Sequence, residues 1–144
     1  MSVQQAHVIG NDFRATAAAH GVAVSSCTTG LHLALVALDL APGDEVIVPS
    51  LSFIATANVV RYVGATPVFA DVELPTLNLT VETVAPVITS RTKAVILVHQ
   101  AGMPADVAAM KSLCAPHGIA IIEDAACAIG STYQGRPIGA HSDL

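Results

Sequence analysis

The sequence predicts a doubly wound α/β domain on a mainly parallel sheet, and two observations carry that prediction. Apolar runs of strand length alternate with longer helical patterns along most of the chain. Those runs also lack the apolar–polar alternation of a sheet with one wet face, so helices should cover both faces.

Taken in order, "VAVSS" (Val22 to Ser26) is a short strand candidate. "TTGLHLALVALDL" opens with hydroxyls and is apolar almost all round, which predicts a buried helix. "APGD" breaks it, and "EVIVPS" is a strand that Pro49 ends. "SFIATANVVRYVG" is the next helix, closed by Gly64, and "ATPVFADV" is a strand leading into the loop "ELPTLNLT". "TVETVAPVITSR" predicts a helix with Thr80 as N-cap and Thr83 where a capping box places Glu. "KAVILVHQ" is a strand, "PADVAAMKSLCAPHG" a helix with Pro104 near its first turn, and "IAIIEDA" the last long strand. There is no internal repeat, low-complexity segment or linker, so the 144 residues amount to one domain's worth of chain.

Composition narrows the function classes. Apolar residues make up 53% and charged residues 12%, against about 45–50% and about 25% in ordinary soluble domains. Such a chain has little polar surface for its size and reads as the interior part of a larger or obligately oligomeric protein. A net charge of −5 with six scattered Lys and Arg argues against nucleic acid as a partner. Three Phe, two Tyr and no Trp leave few stacking platforms for single strands. Cys27, Cys114 and Cys127 are odd in number and share no CxxC spacing, so neither a disulfide framework nor a zinc site is indicated. Cys114 is expected to be plain packing. Nothing at the start reads as a secretion signal. The longest apolar tract, "LHLALVALDLA", is interrupted by His32 and Asp39 and is too short to span a bilayer. A reducing cytoplasm is the expected compartment.

Ligands of open parallel sheets bind at the carboxyl ends of the strands. The polar residues just past each predicted strand are therefore the candidates: Ser25 to Thr29, Ser50 to Asn58, His99 with Gln100, and Glu123 to Cys127. "SSCTTG" puts hydroxyls at a helix start, where free N–H groups and about half a positive charge favour a phosphate; an ordinary Ser/Thr N-cap has the same sequence. Glu123-Asp124 ends an apolar strand. A Mg²⁺-holding reading requires a GxxxxGK[ST] loop, and neither Lys93 nor Lys111 follows one. The acids are then either a partner for a protonated ring nitrogen or a cap on the next turn. Phe53 could stack on a flat ligand or belong to the core, and His99 could be structural or a base. No GxSxG, HExxH or GxGxxG is present.

Together and in order, "VSSCTTGLHLAL", "GDEVIVPSLSFIATANVV", "GATPVFADV", "RTKAVILVHQAGMPAD" and "GIAIIEDAACAIGSTYQGRPIG" resemble the large domain of the DegT/StrS-type sugar aminotransferases. These are pyridoxal-phosphate enzymes of the aspartate aminotransferase fold, and the resemblance runs from about Val22 to the end. Within the family the chain looks nearest to enzymes that make 4-amino sugars on a nucleotide carrier. The resemblance implies that Thr28 and Thr29 bind the cofactor phosphate, that Phe53 stacks on the pyridine ring and that Asp124 binds the ring nitrogen. It also places Cys127 near the 3′-hydroxyl, where the family usually has His or Gln, and Gln100 where Leu or Tyr is usual. By strand alternation Glu123 points away from Asp124 and is expected to be structural.

The resemblance further implies a Schiff-base lysine, a dozen or so residues past the "GAHSDL" equivalent, and a small C-terminal domain. Residues 1–144 are accordingly expected to be a partial cofactor-binding large domain without a catalytic residue of its own, since Lys93 opens a strand and Lys111 lies mid-helix. The parent activity so implied is amino transfer from an amino acid, L-glutamate, to a keto sugar nucleotide in a homodimer. A non-catalytic phosphate- or cofactor-binding module, and a same-family dehydratase with His in place of Lys, are the alternatives.

Overall fold

The computed structural model describes residues 21–139. Four strands, β1 (Glu45–Pro49), β2 (Thr66–Ala70), β3 (Thr92–Val98) and β4 (Ala120–Asp124), form one sheet in the order β2-β1-β3-β4. Every pairing is parallel. The crossovers carry helices α2 (Ala55–Tyr62), α3 (Val81–Val84) and α4 (Val107–Cys114), and α1 (Cys27–Ala37) precedes the first strand.

Side-chain alternation along the strands divides the apolar residues between two layers. Val46, Val48, Ala94, Ile96 and Ile122 meet Leu31 and Leu35 of α1 and Val59 and Val60 of α2 on one face. Ile47, Val95, Leu97 and Ile121 meet Val84 of α3 and Val107, Met110 and Cys114 of α4 on the other. All five residues of β1 are buried. The sheet is therefore covered on both sides, as the lack of polar alternation predicts, and Cys114 is core packing.

Three expectations need correction, and one element was not foreseen. Val22 to Ser26 is not a strand: the segment is an extended lead-in to α1, and Val22 is exposed. A strand exists only through a paired neighbour, and no described strand lies beside it. Helix α1 is buried on one face only, with Leu33 and Val36 turned outward. The helix read from "TVETVAPVITSR" is a single turn followed by the 3₁₀ turn Ala85–Val87. Pro86 has no N–H to offer the carbonyl four residues back, which stops the α-helix. Thr83 still completes the cap, its hydroxyl accepting the Thr80 N–H at 3.1 Å. Finally, the sequence reading has no counterpart to an antiparallel hairpin of β5 (Thr132–Tyr133) and β6 (Arg136–Pro137). Gln134 and Gly135 both have positive φ in its turn, the conformation that suits a two-residue hairpin loop. Tyr133 donates its hydroxyl to Asp106, which also caps α4 by accepting the Ala109 N–H.

No helix among the described residues is long and apolar enough to cross a membrane. None of the three cysteines is in a disulfide, and no cluster of His, Cys, Asp and Glu suited to a metal ion occurs among the described residues.

Candidate cofactor site

Because all four strands run the same way, their carboxyl ends share one edge. The chain leaves β1 for β2 on one side and later crosses to β3 on the other. The crevice between β1 and β3 is thus where the winding reverses, the place where open α/β sheets hold ligands.

Helix α1 begins at this edge. Ser26 is its N-cap, extended in backbone, with Oγ accepting the Thr29 N–H at 3.2 Å. The Thr29 hydroxyl lies 3.0 Å from Ser26 Oγ and 3.2 Å from Ser25 Oγ. The N–H groups of Cys27 and Thr28 make no hydrogen bond among the described residues. The result is a hydroxyl cluster around a helix N-terminus with donors to spare, which suits an anion. The N-cap reading of "SSCTTG" holds at Ser26, and the next two residues leave their N–H groups without a partner among the described residues.

Asp124, the last residue of β4, is joined to that helix start. Cys27 Sγ donates to Asp124 Oδ1 at 3.4 Å, and the Ala126 N–H donates to the same oxygen at 3.1 Å. Burial first, and then the charge of Asp124 and the hydrogen bond to it, push the Cys27 thiol up to about 12. It is a proton donor at neutral pH and a poor nucleophile. Oδ2 of Asp124 carries no hydrogen bond among the described residues. Asp124 also caps the turn to Ala126 through Oδ1, as the capping reading expects.

Glu123 faces the other way. Its side chain is 1% exposed and its Oε2 lies 2.8 Å from Nε2 of His99, whose side chain is fully buried. His99 Nδ1 accepts the Ala105 N–H at 3.1 Å. With Nδ1 acting as acceptor, the ring proton sits on Nε2 and is donated to Glu123. Glu123 and His99 thus pair inside the fold, on the side opposite Asp124 where alternation places Glu123.

The loop after β3 ties its neighbours together. Gln100 N–H donates to Oδ1 of the buried Asn78, whose Nδ2 donates to the Met103 carbonyl at 3.0 Å. The Gln100 side chain reaches across the crevice to the Leu51 carbonyl, two residues before Phe53. Ser131 Oγ donates to the Gly102 carbonyl at 2.7 Å. Phe53 is 75% exposed just past β1; it is not core. Cys127 is exposed three residues beyond Asp124. Cys27 and Gln100 lie among the strand-end candidates and Asn78 does not, but the contacts all three make are not local. Their partners lie 97, 25 and 49 residues away, so only the fold brings them together.

Lys93 and Lys111 do not reach this edge. Lys93 is the second residue of β3, at the opposite end of the sheet, beside Asp39, Asp44 and Gly118. Lys111 borders a shallow cleft with Cys114, Ala115 and Ile119, which precedes β4.

A parallel α/β sheet that gathers a helix start with open N–H groups, a strand-end carboxylate and an exposed aromatic on its carboxyl edge has the features of a cofactor-binding α/β domain. The sequence profile of the DegT/DnrJ/EryC1/StrS aminotransferase family matches residues 11–144, and the chain belongs to that family. Solved structures agree. The chain is similar to 3-amino-5-hydroxybenzoic acid synthase at 40% identity and a TM-score of 0.84, over 88% of this chain and 33% of that one. It is similar to DesV of S. venezuelae at 46% identity and a TM-score of 0.77, over 80% and 31%. A third similar structure is NtdA from Bacillus subtilis with bound cofactor PMP, at 36% identity and a TM-score of 0.73, over 77% and 26%. The chain thus spans a third or less of the length of these proteins.

Proposed function

We propose that this chain forms the pyridoxal-phosphate-binding part of an enzyme that transfers an amino group from L-glutamate to a keto sugar nucleotide. The carrying observation is the Cys27–Asp124 hydrogen bond, which sets an anion-binding helix start beside a carboxylate with one oxygen to spare. A ligand with a phosphate at one end and a basic ring nitrogen at the other matches that pair. The residues present fit the group. Thr28, Thr29 and the open N–H groups of α1 would hold the phosphate, Phe53 would cover the ring, and Asp124 would take the ring nitrogen. When bound, the cofactor supplies an electron sink. Asp124 keeps the ring nitrogen protonated, because a carboxylate close to a cation favours the charged form. Cys127, which the family resemblance sets beside the cofactor's 3′-hydroxyl, would offer a thiol there, a poorer donor than the His or Gln usual in the family. The parent polypeptide in this reading is a cytoplasmic homodimer.

The positions of Lys93 and Lys111 favour a second reading for this stretch of chain, that it binds the cofactor without bonding to it. One substitution bears on both readings. In the full enzyme, Asp124→Asn should leave pyridoxal-phosphate affinity within a few-fold and lower amino transfer by about a hundredfold or more, the scale on which a lost electrostatic partner acts. Wild-type turnover in that variant would overturn the role of Asp124 that both readings share.

A further inference from the structure

We infer that Cys27 is a positioning residue for Asp124: its thiol and the Ala126 N–H hold Oδ1, leaving Oδ2 as the oxygen presented to a protonated ring nitrogen. The inference rests on the cofactor reading above and extends it to a residue outside the phosphate, ring and nitrogen contacts.

A carboxylate on a strand end rotates about two side-chain torsions, and either oxygen could face a ligand. Here the two oxygens differ. Oδ1 accepts from Cys27 Sγ at 3.4 Å and from the Ala126 N–H at 3.1 Å, whereas Oδ2 accepts nothing among the described residues. The Ala126 contact is local and comes from the turn after β4. The Cys27 contact comes from α1, whose N-terminus lies across the site, so it fixes the carboxylate against the phosphate end. A thiol suits this task because it stays protonated. Half-buried beside Asp124 and Cys127, it remains a donor through the physiological range. A serine would keep the donor, while an alanine would leave Asp124 held by the turn alone.

The experiment has two arms on the full chain, with folding of each variant checked by thermal melting. In the first, the protein is treated with iodoacetamide at pH 8.5 and each cysteine is quantified by peptide mass. Cys27 should react at least about a hundredfold more slowly than the exposed Cys127, since a thiol at about 12 is almost entirely protonated there. Asp124→Asn should speed Cys27 about tenfold and leave Cys114 unchanged. Equal rates at Cys27 and Cys127, or no response to Asp124→Asn, would overturn the thiol–carboxylate pair. In the second arm, pyridoxal phosphate and inorganic phosphate are each titrated. Cys27→Ala should weaken pyridoxal phosphate about three- to tenfold, the scale of one ordinary hydrogen bond, since a thiol is a weak donor. It should leave inorganic phosphate unchanged, and Cys27→Ser should restore wild-type affinity. An equal loss for both ligands, or none, would overturn the positioning role. If the wild-type chain binds no pyridoxal phosphate, the cofactor reading fails together with that role, and the alkylation arm still decides the pair.

Discussion

Glu45 shows how one residue sets an acid limit on this fold. It opens β1 and is 6% exposed, a buried carboxylate in a chain with few charges. The Thr89 hydroxyl donates to one oxygen, and Arg91 donates to the other through Nε at 3.0 Å and through Nη2. The Thr89 hydrogen bond above all, helped by Arg91, holds its carboxyl below the usual carboxylate range against the opposing effect of burial. A depressed folded-state value means that the stabilisation is complete above the unfolded value, about 4.3 for Glu. It is lost as pH falls through the folded value. Glu45→Gln should therefore be less stable than wild type at pH 7, with the difference narrowing towards pH 3, as read from urea midpoints at the two pH values. An unchanged difference would mean that the ionised form is not what Thr89 and Arg91 recognise. Strand residues are the most legible in sequence, because alternation alone puts Glu123 and Asp124 on opposite sides, whereas the His99 partner of Glu123 comes only with the fold. Cys27 was not legible, since its importance depends on a partner 97 residues away.

At the level of elements, the site depends on how the loops after β3 and β4 press together. Gly102 has φ +84°, and a Cβ there would lie 2.9 Å from the Cys127 carbonyl oxygen. Backbone meets backbone at this contact, so no flexible side chain can yield. Gly102→Ala should cost about 1–3 kcal/mol from backbone strain and overpacking together. The displaced carbonyl should also change the alkylation rate of Cys127. Chemical denaturation and peptide mass measure the two effects, and an Ala variant of wild-type stability would show that the loops are free to separate. The loops were the least legible part of the sequence. The strands β1 to β4 and helices α1, α2 and α4 follow from apolar runs and turn residues, whereas the stop in α3 depends on Pro86 and the β5–β6 hairpin on a two-residue turn between very short strands. The false strand at Val22 to Ser26 marks the same boundary: extended propensity is local, but pairing is not.

Across the whole molecule, the candidate cofactor site gathers on the carboxyl edge of the sheet, and Lys93 and Lys111 lie away from it. The carboxyl edge collects the hydroxyls of α1, Asp124, Phe53 and the bracing loop of Gln100, together with the exposed apolar side chains Leu51, Ile54 and Met103. The double-sided core was readable from composition and unalternated strands, and it explains how a chain with 12% charged residues folds around a polar site at one rim. Lys93 lies five residues before Val98 along β3, about 16 Å at the rise of a parallel strand. Lys111 borders the cleft next to the start of β4. Neither amine is placed to reach an aldehyde on a ligand held by Thr28, Thr29 and Asp124. Incubating the chain with pyridoxal phosphate, reducing with borohydride and mapping peptides by mass should therefore find neither lysine labelled above the level of a denatured control. Cofactor absorbance should be lost on dialysis in the same samples. A stoichiometric reduced adduct on Lys93 or Lys111 would place the aldehyde at the other end of the sheet and remove the basis for reading Asp124 as the partner of the ring nitrogen.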